Sequence, residues 1–164
     1  MLSASNEHNL KNVRRSTAES VEDFARTVAA RDEAAVPVVL GAGVATGFGC
    51  TIAGKVNERI VLGLVETLIE AGAGEVTITD TVGYANPAQV YGLMRKVMAL
   101  AAAVPVACHF HDTRGLGLAN VMAVVDAYVR SMPRWAVSAV VHSRRTPRAT
   151  STPKTPCSCW RRRA

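Results

Sequence analysis

Residues Val104 to Asp112 read Val-Pro-Val-Ala-Cys-His-Phe-His-Asp, an apolar run that ends in two histidines and a carboxylate. In a β-strand alternate side chains share a face, so His109 and His111 point one way while Cys108, Phe110 and Asp112 point the other. Two imidazoles on one side of a strand end can chelate a single divalent ion. A solvated strand end that happens to carry two histidines is the competing reading. Asp80 is the second candidate, a carboxylate that closes the run Glu75–Thr79 and precedes Thr81-Val82-Gly83. The carboxyl ends of strands are where α/β sheets keep catalytic groups, and capping a loop is an equally ordinary use of aspartate there. The four cysteines, Cys50, Cys108, Cys157 and Cys159, fall at unrelated spacings. Cys157-Ser158-Cys159 has no second pair for a zinc site, which leaves reduced thiols as the default.

The elements that position these residues follow from periodicity. Met1 to Ser5 reads as a strand end and the polar stretch 6–15 as a loop. A helix then starts at Ser16, which with Glu19 forms a capping box, and carries Val21, Phe24, Ala25 and Val28 at helical spacing. Val36 to Leu40 reads as the next strand, followed by a glycine-rich loop from Gly41 to Cys50. Its glycines miss the G-x-G-x-x-G spacing and no Gly-Lys-Ser/Thr follows, so a flexible loop beside a ligand fits better than a nucleotide cradle. A second helix spans Asn57 to Gly72 with Ile60, Leu64, Leu68 and Ile69 on its apolar face, and Gly72 and Gly74 end it. The strand to Thr79 and Asp80 comes next. Asn86-Pro87 opens a third helix with Val90, Leu93, Met94 and Val97 inward. After the histidine strand, Gly115 onward begins a fourth helix carrying Val121, Val124, Val125 and Val129. Four strand–helix units with short apolar strands predict a parallel α/β layout, its functional groups at the strands' carboxyl ends.

Composition limits the partners. At 164 residues the chain can bury one ordinary core but is short for a complete eight-fold α/β barrel, which needs roughly 250. No apolar run approaches the ~20 residues of a membrane span, and the N-terminus lacks the layout of a signal peptide. Together these predict a cytoplasmic protein with no membrane partner. The net charge of +6 is uneven: residues 1–130 hold 11 Lys and Arg against 13 Asp and Glu, a net of −2, while residues 131–164 hold 8 basic residues and no acidic ones.

Aligned on its strand ends, the sequence resembles the 3-hydroxy-3-methylglutaryl-CoA lyases and their relatives, metal-dependent TIM-barrel lyases that act on acyl-CoA. The blocks that carry the likeness are Ser3-Ala4-Ser5 with Lys11-Asn12, Gly49-Cys50 with Gly54-Lys55-Val56, Asp80-Thr81-Val82-Gly83, and His109-Phe110-His111-Asp112-Thr113 with Gly115 and Leu118-Ala119-Asn120. They span nearly all of residues 1–130. The resemblance implies a partial (β/α)8 barrel of about four units over 1–130, His109 and His111 as ligands of Mg²⁺ or Mn²⁺, and Asp80 as an active-site carboxylate. It also implies Lys11, Asn12 and Thr81 as substrate contacts, an acyl-CoA substrate, and the 41–54 loop at the pocket's border. The implied reaction cleaves 3-hydroxy-3-methylglutaryl-CoA to acetoacetate and acetyl-CoA. Related Claisen-type synthases, such as isopropylmalate and citramalate synthases, share the H-x-H site and stand as the alternative.

Two departures qualify the likeness. The family's first strand, with an Arg-Asp pair in which Asp is a metal ligand, has no counterpart, so the chain matches from about the family's fourth strand onward. Its unpaired sheet edges invite a homodimer, and such a half-barrel implies weak or absent turnover, a non-catalytic half-barrel fragment being the further alternative. Beyond the fourth helix, the family's Gly-Gly-Leu-Gly-Gly-Cys-Pro loop is replaced by Trp135 to His142 and a basic run ending at Arg163. Codons exist for Trp135–His142 that, read from the third base, give that very loop, and the same frame extends the match to Trp160. Residues 131–164 are therefore expected to be an irregular, out-of-frame tail whose basic charge is accidental, with no nucleic-acid partner.

Overall fold

The computed structural model describes residues 1–35, 37–131 and 137–142. Ten elements follow one another: β1 (Leu2–Ser3), α1 (Asn6–Val13), α2 (Thr17–Glu33), β2 (Gly41–Ala45), α3 (Glu58–Glu70), β3 (Glu75–Asp80), α4 (Pro87–Ala101), β4 (Val106–His111), α5 (Gly117–Ser131) and β5 (Val137–His142). The five strands form one parallel sheet in the order β1-β2-β3-β4-β5, so each pairs with its neighbours in sequence. This is the order of an α/β barrel wall.

Register assigns the two faces. Val76 pairs with Val106, Ile78 with Cys108 and Asp80 with Phe110, and all six are buried. That face carries the core with Val61, Val65 and Leu68 of α3, Val90, Leu93, Met94 and Val97 of α4, and Val124 and Ala127 of α5. The opposite face carries Thr77 beside Ala107 and Thr79 beside His109. Caps agree with the sequence: Ser16 and Glu19 form a reciprocal capping box, and Asn86 caps α4 with proline in the first turn.

Several expectations are corrected. The stretch 6–15 is not a loop but holds α1, because Ser5 accepts from the His8 amide to cap it and Arg14 ends it in the left-handed region at φ 56°. Its burial rests on one polar residue, Asn9, so no apolar period announces it. The second strand is not Val36–Leu40 but Gly41–Ala45, within the stretch read as a glycine-rich loop; Val38 and Val39 are exposed, and Val36 lies outside the described residues. The buried stripe of α3 is Val61, Val65 and Leu68 rather than one through Ile60, which is exposed. In α5, Val125 and Val129 face solvent. The irregular tail is corrected in part, because residues 137–142 form β5 along β4, Val106 pairing with Val137 and His111 with His142. The rest of the tail lies outside the described residues.

Candidate metal centre

β4 ends in His109 and His111, and alternation sets both on the face away from the helices, as their spacing requires. The ring centres lie 5.0 Å apart with planes at 74°. Two imidazoles bound at right angles to one ion, with nitrogens about 2.1 Å from it, hold their centres roughly 4.6 Å apart. The observed pair therefore fits a shared divalent ion after a small ring adjustment. His111 Nδ1 lies 2.7 Å from the backbone carbonyl oxygen of Asp80. A carbonyl only accepts, so Nδ1 carries the proton and the lone pair of the neutral ring falls on Nε2, the outer-sphere arrangement typical of histidine ligands. Among the described residues no group of three or more His, Cys, Asp and Glu gathers to hold a metal.

Asp80 reaches this centre through its main chain. In register with Phe110, its carboxylate is fully buried toward the helix side, where Oδ1 accepts from the Tyr84 amide at 2.9 Å and Oδ2 from the Ala85 amide at 3.2 Å. Burial holds its pKa above the ordinary carboxylate value, and the amides of Ala85, Tyr84 and Gly83 and the nearby His111 offset this only in part. The carboxyl thus shapes the turn after β3, while its carbonyl orients His111.

Thr81 is half-buried, and its hydroxyl accepts from the Thr46 amide at 2.8 Å, tying the ends of β3 and β2 together. Thr46 in turn shares a 2.7 Å hydrogen bond with the Ser3 hydroxyl. These contacts lace the carboxyl ends of three strands into one polar rim. Lys11 and Asn12 sit exposed on α1, apart from this network. The structure brings together His109, His111 and Asp80, joins Thr81 to the rim, and leaves Lys11 and Asn12 exposed outside it.

Sequence reasoning passed over three groups. Asn9 is buried and accepts from the Ser3 amide at 2.8 Å while its Nδ2 donates to Arg15 and Ser16 carbonyls and the Ser20 hydroxyl. Arg114 donates to the Gly83, Tyr84 and Ala85 carbonyls, clamping the turn after β3 to the turn after β4. Thr79 is a buried hydroxyl beside His109. A polar residue one step before a strand-end carboxylate was the available signal for it. The thiols differ in environment. Burial pushes Cys108 up to about 12, whereas at Cys50 the effect of burial is outweighed by the Ala53 and Ile52 amides and the Ser5 hydroxyl, so its pKa falls below the ordinary value.

A singly wound parallel sheet with its polar rim at the strands' carboxyl ends defines part of an α/β-barrel wall. The HMGL-like family model matches residues 1–132, and the chain belongs to that family. It is 38% identical over 125 residues to a hydroxymethylglutaryl-CoA lyase of Bacillus subtilis, covering 76% of this chain and 41% of that protein. It is 37% identical over 133 residues to the (R)-citramalyl-CoA lyase of Chloroflexus aurantiacus, covering 80% of this chain and 41% of that one. Among solved structures, an HMG-CoA lyase of A. baumannii in complex with coenzyme A and 3-methylmalate superposes with a TM-score of 0.74 at 36% identity, over 87% of this chain and 43% of that one. The chain thus spans about two fifths of the length of these relatives.

Proposed function

We propose that this chain carries the histidine pair of a divalent-ion site in a carbon–carbon lyase acting on a 3-hydroxyacyl thioester of coenzyme A, with 3-hydroxy-3-methylglutaryl-CoA as substrate and acetoacetate and acetyl-CoA as products. The observation that supports this best is the pair itself: two imidazoles on one face, 5.0 Å apart, one of them oriented by a backbone carbonyl. His109 and His111 would hold Mg²⁺ or Mn²⁺, which when bound steadies neighbouring hydroxyl and carbonyl oxygens and the negative charge that develops as the bond breaks.

The chain's own residues prepare that chemistry. The Asp80 carbonyl fixes the tautomer of His111, so Nε2 is the nitrogen left to ligate. The Asp80 carboxyl and Arg114 hold the turns that flank the pair. Thr81, Thr46 and Ser3 keep the strand ends at fixed spacing. Lys11 and Asn12, exposed on α1, suit contacts to the polar part of a long thioester substrate. The reaction itself requires a proton to leave the tertiary hydroxyl and another to reach the new thioester carbanion. In this reading Asp80 positions the site, and the acid–base work belongs to groups nearer the substrate.

The similar identity to a citramalyl-CoA lyase favours a second substrate, citramalyl-CoA, within the same reaction class. We also infer that residues 1–130 form the functional unit and that the basic segment 131–164 is an out-of-frame extension, of which Val137–His142 adds a strand beside β4. No helix among the described residues is long and apolar enough to cross a membrane.

The test pairs ion binding with turnover. Titrating Mn²⁺ into the full chain by electron paramagnetic resonance is expected to reveal one site, lost in His109→Ala and in His111→Ala. Acetoacetate release from 3-hydroxy-3-methylglutaryl-CoA, where measurable, is expected to disappear in the same variants. Unchanged Mn²⁺ binding in both would refute the site, and faster cleavage of citramalyl-CoA would move the substrate to the second reading.

A further inference from the structure

Thr79 stands out once the histidine site is described. It lies on β3 directly opposite His109 of β4, and paired residues on adjacent parallel strands present their side chains to the same face. It is 5% exposed, and its Oγ1 is buried with no hydrogen-bond partner among the described residues. Buried hydroxyls are nearly always bonded, because leaving one unsatisfied forfeits its hydration with nothing in return. Nothing in the fold explains this one: threonine is no better than valine at filling a pleated strand, and the turn after β2 is held by backbone atoms, the Gly47 amide donating to the Thr79 carbonyl at 3.0 Å.

The neighbouring histidine shows what is needed at this place. His111 leans on the carbonyl of Asp80, and histidine ligands generally require such an outer contact to fix the ring's tautomer and direction. Thr79 is the residue immediately before Asp80 on the same strand. We propose that Thr79 is a positioning residue of the divalent-ion site, its hydroxyl accepting from the His109 ring nitrogen that faces away from the ion. Consecutive residues of β3 would then orient the two ligands of β4, Thr79 for His109 and Asp80 for His111. The proposal rests on the histidine-site reading, and it accounts for a buried polar side chain that makes no hydrogen bond within the fold.

Isosteric replacement separates this role from a structural one. Thr79→Val keeps the side chain's shape and deletes the hydroxyl, whereas Thr79→Ser keeps the hydroxyl and deletes a methyl. Mn²⁺ titration of the full chain by electron paramagnetic resonance is expected to show affinity about ten-fold weaker for Thr79→Val and within about two-fold of the parent for Thr79→Ser. The melting temperature without metal should not fall in Thr79→Val, since the hydroxyl makes no bond there. Wild-type Mn²⁺ affinity in Thr79→Val, or equal weakening in both variants, would overturn the proposal. So would a lowered metal-free melting temperature in Thr79→Val accompanying the affinity loss. Failure of the underlying site looks different, because then His109→Ala and His111→Ala would bind Mn²⁺ as the parent does.

Discussion

Asp80 works through two different groups. Its carbonyl oxygen meets His111 and its carboxylate takes two loop amides, so replacing the carboxylate tests one role and spares the other. Burial raises the folded-state pKa of this group above its unfolded value. A raised folded pKa means its contribution to stability is complete below the unfolded pKa, about 3.9, and declines as pH rises through the folded one. Asp80→Asn should therefore flatten the dependence of melting temperature on pH in that window, relative to the parent. Mn²⁺ binding should survive, because the carbonyl remains. If Asp80→Asn lost the ion as His111→Ala is expected to, the carboxylate itself would have to be returned to the site.

At the scale of elements, α1 shows why some of the fold was legible and some was not. The capping box at Ser16, the Asn86-Pro87 start of α4 and the alternation that sets His109 with His111 are local patterns, each determined by residues a few positions apart. They could be read directly. The helix α1 has no apolar stripe; it is anchored by Asn9, whose side chain bonds Ser3 on the preceding strand and Arg15, Ser16 and Ser20 beyond the helix. A polar anchor of this kind is indistinguishable in sequence from a loop asparagine. The strand Gly41–Ala45 was hidden because it is built largely of glycine and alanine, which carry little strand propensity. Asp80 was found as a carboxylate at a strand end, but which of its atoms serves the histidines depends on a register that only the paired strands determine. Asn9→Ala should cost about 2–3 kcal/mol in urea unfolding, because it strands the buried Ser3 amide and three further partners. Asn12→Ala, on the exposed side of the same helix, should stay within about 0.5 kcal/mol.

For the molecule as a whole, the apolar surface left uncovered matters most. Leu118, Met122 and Val129 of α5 are 73%, 65% and 69% exposed and, with Val125, recur at helical spacing. At the edge of the described sheet, Val140 of β5 is also exposed. A barrel wall normally packs its helices against neighbours on both sides, and contiguous apolar patches of this kind drive association. The chain is therefore expected to self-associate at micromolar concentration, with α5 and the sheet edge in the contact. Sedimentation velocity should show a concentration-dependent increase in mass, reduced in the double variant Leu118→Lys with Met122→Lys. A monomer at all concentrations in the parent would rule out this contact.

The order of the strands also governs how the chain can be assembled in time. Val76 pairs with Val106 and Val106 with Val137, so no strand waits for a partner from the far end of the sequence. A polypeptide emerging at roughly 5–20 residues per second gives each strand–helix unit seconds to settle, against microseconds for a helix or hairpin to form. Each finished strand then serves as the template for the next, and the histidine strand can be laid against β3 without waiting for a strand from further along the sequence. Vectorial growth of this kind lets the histidine pair of β4 take its place on the sheet as soon as its own strand and β3 have emerged.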